Sequence, residues 1–371
     1  MKLVEKRYHV LDGPVTLESG EHLPEVTVAY ETWGELNQDK SNAIMICHAL
    51  TGDSHAAGRY SEEDIKPGWW DTMIGPGKGI DTDKFFVICS NVLGGCMGTT
   101  GPSSINPVTG TPYGSDFPVV TIHDMVQVQA ALVDFLGIKK LHAVIGGSVG
   151  GMQVLSWCKN YPDRVGSGVA LATTMRHTAL SIAFNEVARQ SILSDPNWKE
   201  GHYYGETRPD MGLSVARMIG HITYLSDEAM HQKFGRRLQN KDDFSFDFDA
   251  EFQVESYLHY QGSKFVDRFD ANSLLYMTKA ADYFDIRDSF NENGSLTRLA
   301  DQKNPFLIVS YTSDWLYPTN QNREIVSIFK RHGLDVSFCE IEASCGHDAF
   351  LLPSERLTNL LTGFLGKGAH V

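Results

Sequence analysis

Three residues of this chain have the types and the order that acyl-transfer chemistry needs: Ser148, Asp314 and His347. A serine hydroxyl is a weak nucleophile by itself. A neutral imidazole can take its proton, and a buried carboxylate fixes the imidazole tautomer and stabilises the imidazolium. Ser148 stands in Gly146-Gly147-Ser148-Val149-Gly150, a G-x-S-x-G stretch of the kind that turns sharply from strand to helix and holds the serine oxygen out above a sheet. A glycine-rich turn with an incidental serine would read the same way, and singly Asp314 would pass for a turn residue and His347 for a satisfied polar side chain. Their joint occurrence in order is what argues for a triad. The oxyanion that such chemistry creates needs two preorganised N–H donors, worth about 3 kcal/mol each in well-studied cases. The amides of Leu50 and Val149 are the candidates, one after an early strand and one after the nucleophile.

These residues are useful only if secondary structure delivers them to one place. Leu141-His142-Ala143-Val144-Ile145 reads as a strand before the serine, and Gly151 to Cys158 as a helix after it. Pro305 to Ser310 is a second apolar strand, with Asp314 in the turn beyond it, and Val336 to Ile341 a third, with His347 on the next loop. Ala43 to Cys47 is a fourth, running into His48-Ala49-Leu50-Thr51-Gly52-Asp53-Ser54. An α/β-hydrolase fold places the oxyanion loop, nucleophile, acid and base on such strand ends. His48 reads as a structural loop histidine rather than a catalytic group.

Residues 1–175 and 296–371 are expected to form that core, a mostly parallel sheet covered by helices on both faces, because apolar strands alternate there with amphipathic segments. Phe85 to Cys89 and Val165 to Leu171 supply further strands, and Ile122, Met125, Val126, Val133 and Leu136 fall on one face of a helix closed by Gly137. Residues 176–295 lose the strand pattern and read as an inserted helical lid, with Met211 to Leu225 one of its helices and Asn240 to Glu251 an exposed loop.

Composition narrows the possibilities. The formal net charge of −14 over 371 residues disfavours nucleic acid and anionic membranes as partners. No apolar run is long enough to cross a bilayer and no signal core opens the chain, and cysteines set inside apolar strands fit a reduced cytoplasm, the location expected. The six cysteines show no regular spacing, and the fourteen histidines form no H-E-x-x-H pair, so neither a disulfide framework nor a metal site is expected. Gly75-Pro76-Gly77-Lys78-Gly79 lacks the remaining residues of a phosphate loop and reads as a surface turn.

A triad alone does not say what accepts the acyl group. Water would make the protein a carboxylesterase or thioesterase, a bound hydroxyl a transferase. Four stretches bear on this: Cys47-His48-Ala49-Leu50-Thr51-Gly52-Asp53-Ser54-His55, Gly146 to Gln153, Ala216-Arg217-Met218-Ile219-Gly220-His221-Ile222-Thr223-Tyr224, and Gly346-His347-Asp348. Together they resemble the homoserine O-acetyltransferase family, acyl-CoA-dependent enzymes of methionine biosynthesis on the α/β-hydrolase fold, and the resemblance runs over nearly the whole chain. It implies acetyl-CoA and L-homoserine as substrates, no permanently bound cofactor and a homodimer. It also implies an amino-acid site of Arg217, Asp348, Thr51 and Tyr224. That set makes physical sense, since a zwitterion needs a cation for its carboxylate and an anion for its ammonium. Serine, one methylene shorter than homoserine, stays open as an acceptor, for a methylene is worth only about 1–3 kcal/mol. Relatives that use succinyl-CoA are similar in the acid turn but carry arginine at the position of Leu316. An apolar side chain there would leave a succinyl carboxylate unpaired, so acetyl-CoA is the expected donor.

Overall fold

The computed structural model describes residues 3–366. Its central sheet is built from β1 (Arg7–Val10), β2 (Thr27–Trp33), β3 (Ala43–Cys47), β4 (Phe86–Ser90), β5 (Ala143–Gly147), β6 (Gly168–Leu171), β7 (Pro305–Tyr311) and β8 (Asp335–Ile341). In space they run β1-β2-β4-β3-β5-β6-β7-β8. β1 pairs antiparallel with β2 and β2 with β4, and every other pairing is parallel. β3 and β5 are buried at every position, as strands covered on both faces must be. Alternate residues feed opposite cores: Ile44 and Ile46 pack with Trp70, Val169 and Leu361, while Met45 and Cys47 pack with Met125, Val128 and Trp157.

Helix α1 (Ile122–Phe135) starts at a Thr121–Asp124 capping box, and Gly137 beyond its end takes φ 69°. Helix α2 (Val149–Asn160) starts directly at Ser148. Between β6 and β7 come α3 (Ala179–Leu193), α4 (Asp210–Tyr224), α5 (Asp227–Lys233), α6 (Gln253–Val266), α7 (Ala271–Tyr283) and α8 (Ser295–Asp301). Among the described residues, no strand of the central sheet lies in that stretch. In the loop after α5, Phe246 and Phe248 are fully exposed. Helices α9 (Thr319–Arg331) and α10 (Glu355–Gly366) return to the sheet. No described helix is long and apolar enough to cross a membrane.

One expectation of regular alternation is not met in the first half. Among the described residues, the connection from β3 to β4 is not an α-helix but a series of turns with a short ribbon of Ile74–Gly75 and Ile80–Asp81. Eight glycines and prolines from Gly52 to Gly79, including Gly58, Pro67 and Gly68, break any helical run. A Cβ at Gly68 would sit 2.3 Å from the Ala57 backbone, so the connection also packs too tightly for a side chain there. The Gly75–Gly79 stretch is the turn of this ribbon, with Pro76 and Gly77 exposed. Strand ends also shift slightly: Val165 makes only an isolated bridge to Leu141 before β6 begins at Gly168.

Candidate active site

Ser148 occupies the turn from β5 to α2 at φ 60°, ψ −125°, a conformation that costs a residue with a side chain roughly 1–3 kcal/mol. The surroundings hold it there. A Cβ at Gly150 would lie 2.1 Å from the Cys47 carbonyl oxygen, and one at Gly147 2.5 Å from the Phe350 ring. Only glycine therefore lets α2 approach β3 and lets the His347 loop close over the turn. Thr173 donates from its hydroxyl to the Ser148 carbonyl at 2.8 Å, a further clamp.

Asp314 follows β7 and His347 follows β8, which run parallel and adjacent to each other. His347 Nε2 lies 2.8 Å from Ser148 Oγ, and Nδ1 lies 2.8 Å from Asp314 Oδ2. Asp314 Oδ1 accepts the backbone N–H groups of Leu316 at 3.0 Å and Tyr317 at 2.9 Å, so both carboxylate oxygens are committed. All three side chains are buried. Burial opposes charge on the His347 ring, but the Asp314 carboxylate, by charge and by hydrogen bond, outweighs it. With Asp348 adding to the effect, the imidazole pKa is held above its ordinary 6.5.

Leu50, Val149, Ser148 and His347 line one cavity of about 220 Å³. Among the described residues, neither the Leu50 nor the Val149 N–H has a protein acceptor, and Val149 is the first residue of α2, where N–H groups are left over by helix geometry. Two residues with unengaged N–H groups thus line the cavity that Ser148 lines, which makes them candidates for holding an oxyanion. His48 stands apart from this chemistry. Its Nε2 accepts the Val92 N–H at 3.1 Å, its Nδ1 donates to the Ala49 carbonyl at 2.8 Å, and burial lowers its pKa. It is a neutral brace for the oxyanion loop.

Arg217, Thr51, Tyr224, Asp348 and Leu316 line the same cavity. Arg217 Nη1 donates to Thr51 Oγ1 at 3.2 Å, and its guanidinium lies 4.7 Å from the Phe265 ring centroid and 5.6 Å from that of Tyr224. Burial raises the Asp348 pKa, against the pull of His347 and Arg217. Among the described residues, neither Arg217 nor Asp348 is in an ion pair within 4.0 Å. A cation and an anion thus face one cavity without neutralising each other at contact, which is the complement of a zwitterion.

The cavity also holds residues that the sequence did not single out. Arg268 donates to the Thr51 carbonyl at 3.1 Å and stacks over Phe265 at 5.4 Å. His177, Asn185 and Tyr317 line the same cavity. Nothing in the local spacing of His177 announces its carboxylate partner Asp282, 105 residues away, so no motif could have found it.

A serine–histidine–aspartate chain at the carboxyl ends of a sheet in this strand order defines an α/β-hydrolase-fold protein, and the family model described as alpha/beta hydrolase fold matches residues 42–353. Homoserine O-acetyltransferases from Desulfotalea psychrophila and Solidesulfovibrio magneticus are 59% and 60% identical to the chain. Both matches cover 98% of this chain, and 94% and 93% of the relatives. The crystal structure of homoserine O-acetyltransferase from Bacillus anthracis is similar at a TM-score of 0.91 and 32% identity, over 98% of each chain. Esterase E22 is similar at 0.89 and 34% identity, over 98% of this chain and 100% of its own. The chain belongs to the homoserine O-acetyltransferase family.

Proposed function

We infer that this protein transfers the acetyl group of acetyl-CoA to the γ-hydroxyl of L-homoserine, a step of methionine biosynthesis, through an acyl-Ser148 intermediate. The observation that carries the reading is the hydrogen-bonded line Asp314–His347–Ser148, at 2.8 Å per link, opening into a cavity lined by Arg217 and Asp348. In the first half-reaction His347 Nε2 takes the Ser148 proton as Oγ attacks the thioester carbonyl. The Leu50 and Val149 N–H groups hold the oxyanion, and CoA departs as the thiol with the proton from His347. In the second, homoserine binds with its carboxylate on Arg217, steadied by Thr51 and Tyr224, and its ammonium on Asp348. His347 takes the γ-hydroxyl proton, the oxygen attacks the acyl carbon, and Ser148 recovers its proton as the ester leaves.

Competition from water decides whether such a site transfers or hydrolyses. The helical segment 176–295 serves as the lid that excludes it, and Arg217 on α4 and Tyr317 against His177 bring lid and core together at the cavity. Esterase E22, similar over the whole chain, shows that hydrolysis is the other outcome to test. The assay is CoA release from acetyl-CoA and succinyl-CoA, each with homoserine, serine or no acceptor. Ping-pong kinetics with homoserine-dependent turnover of acetyl-CoA is expected; ester hydrolysis indifferent to amino alcohols would overturn the transferase assignment. A cytoplasmic homodimer is the form we expect, and sedimentation of the purified protein tests the dimer.

A further inference from the structure

Beside the triad lies a second histidine–carboxylate pair that the mechanism above does not use. His177, in the connection from β6 to α3, places Nδ1 2.9 Å from Asp282 Oδ1 and Nε2 2.6 Å from the Tyr317 hydroxyl. Asp282 near the end of α7 also accepts from Asn185 Nδ2 at 2.7 Å and from Arg189 Nη1 at 2.7 Å, both on α3. The side chains of His177 and Asp282 are 4% and 7% exposed, so the pair is largely buried. Asp282 accepts from Nδ1, so in the neutral ring Nε2 accepts from the tyrosine hydroxyl. Burial, with the Asp314 carboxylate close by, pushes the Tyr317 phenol far up, so it remains a hydroxyl.

The other end of Tyr317 is in the triad. Its backbone N–H is one of the two donors to Asp314 Oδ1, and its ring meets the His347 imidazole edge-on at 5.1 Å between centroids. A second tie joins the same turn to the helical segment: Trp315 Nε1 donates to the Leu225 carbonyl, at the end of α4, at 2.9 Å. The acid turn is therefore held from two lid elements, and one of those holds runs through a single hydroxyl.

We propose that Tyr317 is a positioning residue for the triad and that the His177–Asp282 pair anchors it, so that the acid and base are aligned only when the lid helices are seated. The inference rests on the reading of Ser148, His347 and Asp314 as an acyl-transfer triad. Tyr317 acts through Asp314 and His347, and a misalignment there slows proton transfer without weakening the grip on either substrate.

The test is pre-steady-state CoA release by the full-length enzyme, with melting temperatures measured alongside. Tyr317→Phe and His177→Asn should each slow acylation of Ser148 roughly 10- to 100-fold, leaving the KM values for acetyl-CoA and homoserine within about twofold. His177→Gln, whose amide oxygen can accept the phenol where Nε2 did, should recover most of the rate. The double variant Tyr317→Phe/His177→Asn should be no slower than the slower single, because both remove one bond. A Tyr317→Phe enzyme with wild-type kcat would overturn the proposal, and so would a rise in KM at unchanged kcat or additive losses in the double variant. Should His177→Asn fail to fold, Tyr317→Phe, which loses one oxygen atom, decides alone. A wild-type enzyme that never releases CoA would instead remove the functional reading beneath it.

Discussion

At Ser148 the backbone is held at φ 60° by neighbours that only glycine can provide. Strain of that kind belongs to function, so relieving it should separate stability from activity. Ser148→Gly is expected to raise the unfolding free energy in urea by about 1 kcal/mol while abolishing acylation. Ser148→Ala should be equally inactive at unchanged stability. As the proposed base, His347 must be neutral, and its pKa is held above 6.5, chiefly by Asp314 working against burial. Activity, read as kcat/KM, should therefore start to fall above pH 6.5 as the solution is acidified. Asp314→Asn removes that support: the acid limb should move to lower pH, and turnover should fall on the order of 10⁴-fold, as in the best-known serine protease case. An unmoved limb would mean that another carboxylate sets the base. At Leu316, whose side chain lines the cavity, an apolar wall leaves a succinyl carboxylate without a partner. The ratio of specificity constants should favour acetyl-CoA in the wild type and shift toward succinyl-CoA in Leu316→Arg.

The element that matters most is the approach of α2 to β3 and to the loop beyond it. Gly150 touches the Cys47 carbonyl, and Cys47 ends the strand that leads to Leu50. A methyl group on Gly150 must push the elbow and the oxyanion loop apart. Gly150→Ala should accordingly cost about 3 kcal/mol, the upper end for overpacking, and should depress kcat more than KM, both readable from urea melts and steady-state kinetics. Helix α4 carries the contrasting case. Arg217 donates to Thr51 and rests on the Phe265 and Tyr224 rings, and among the described residues it has no carboxylate at contact. Arg217→Ala should leave CoA release in the first half-reaction nearly intact and slow the homoserine-dependent second. Equal damage to both would mark the arginine as a brace for the lid.

Across the whole molecule, the division of labour follows the sheet. The core strands deliver Ser148, Asp314 and His347 from their carboxyl ends, while α3, α4 and α7 supply much of the cavity wall. A net charge of −14 gives an anionic donor no general attraction, so cations placed locally have to outweigh the average field. The acyl-enzyme should then be long-lived in the absence of an acceptor, and hydrolysis of acetyl-CoA should be much slower than transfer. Single-turnover acylation followed by mass measurement of the intact protein checks this. Rapid loss of the added acetyl group without homoserine would mean that the lid does not keep water out.

The proposed nucleophile, base, acid and oxyanion loop could be picked out in the chain because each obeys a local rule: glycines around Ser148, and apolar strand runs that end just before Leu50, Asp314 and His347. Parallel strands buried on both faces leave a continuous apolar signature, and their order along the chain matched the order of the triad. The helical stretch between β6 and β7 was equally visible, since the strand pattern vanishes there. The helix-free crossing from β3 to β4 was not anticipated, although its glycines and prolines were in plain view. Long-range pairing remained out of reach. His177 meets Asp282, and Tyr317 meets His177 across 140 residues, because the loop before α3, helix α7 and the acid turn converge at the cavity. Such contacts carry no periodicity and no motif. Local preference can specify an elbow or a strand, but only the packed tertiary structure decides which buried polar groups satisfy one another.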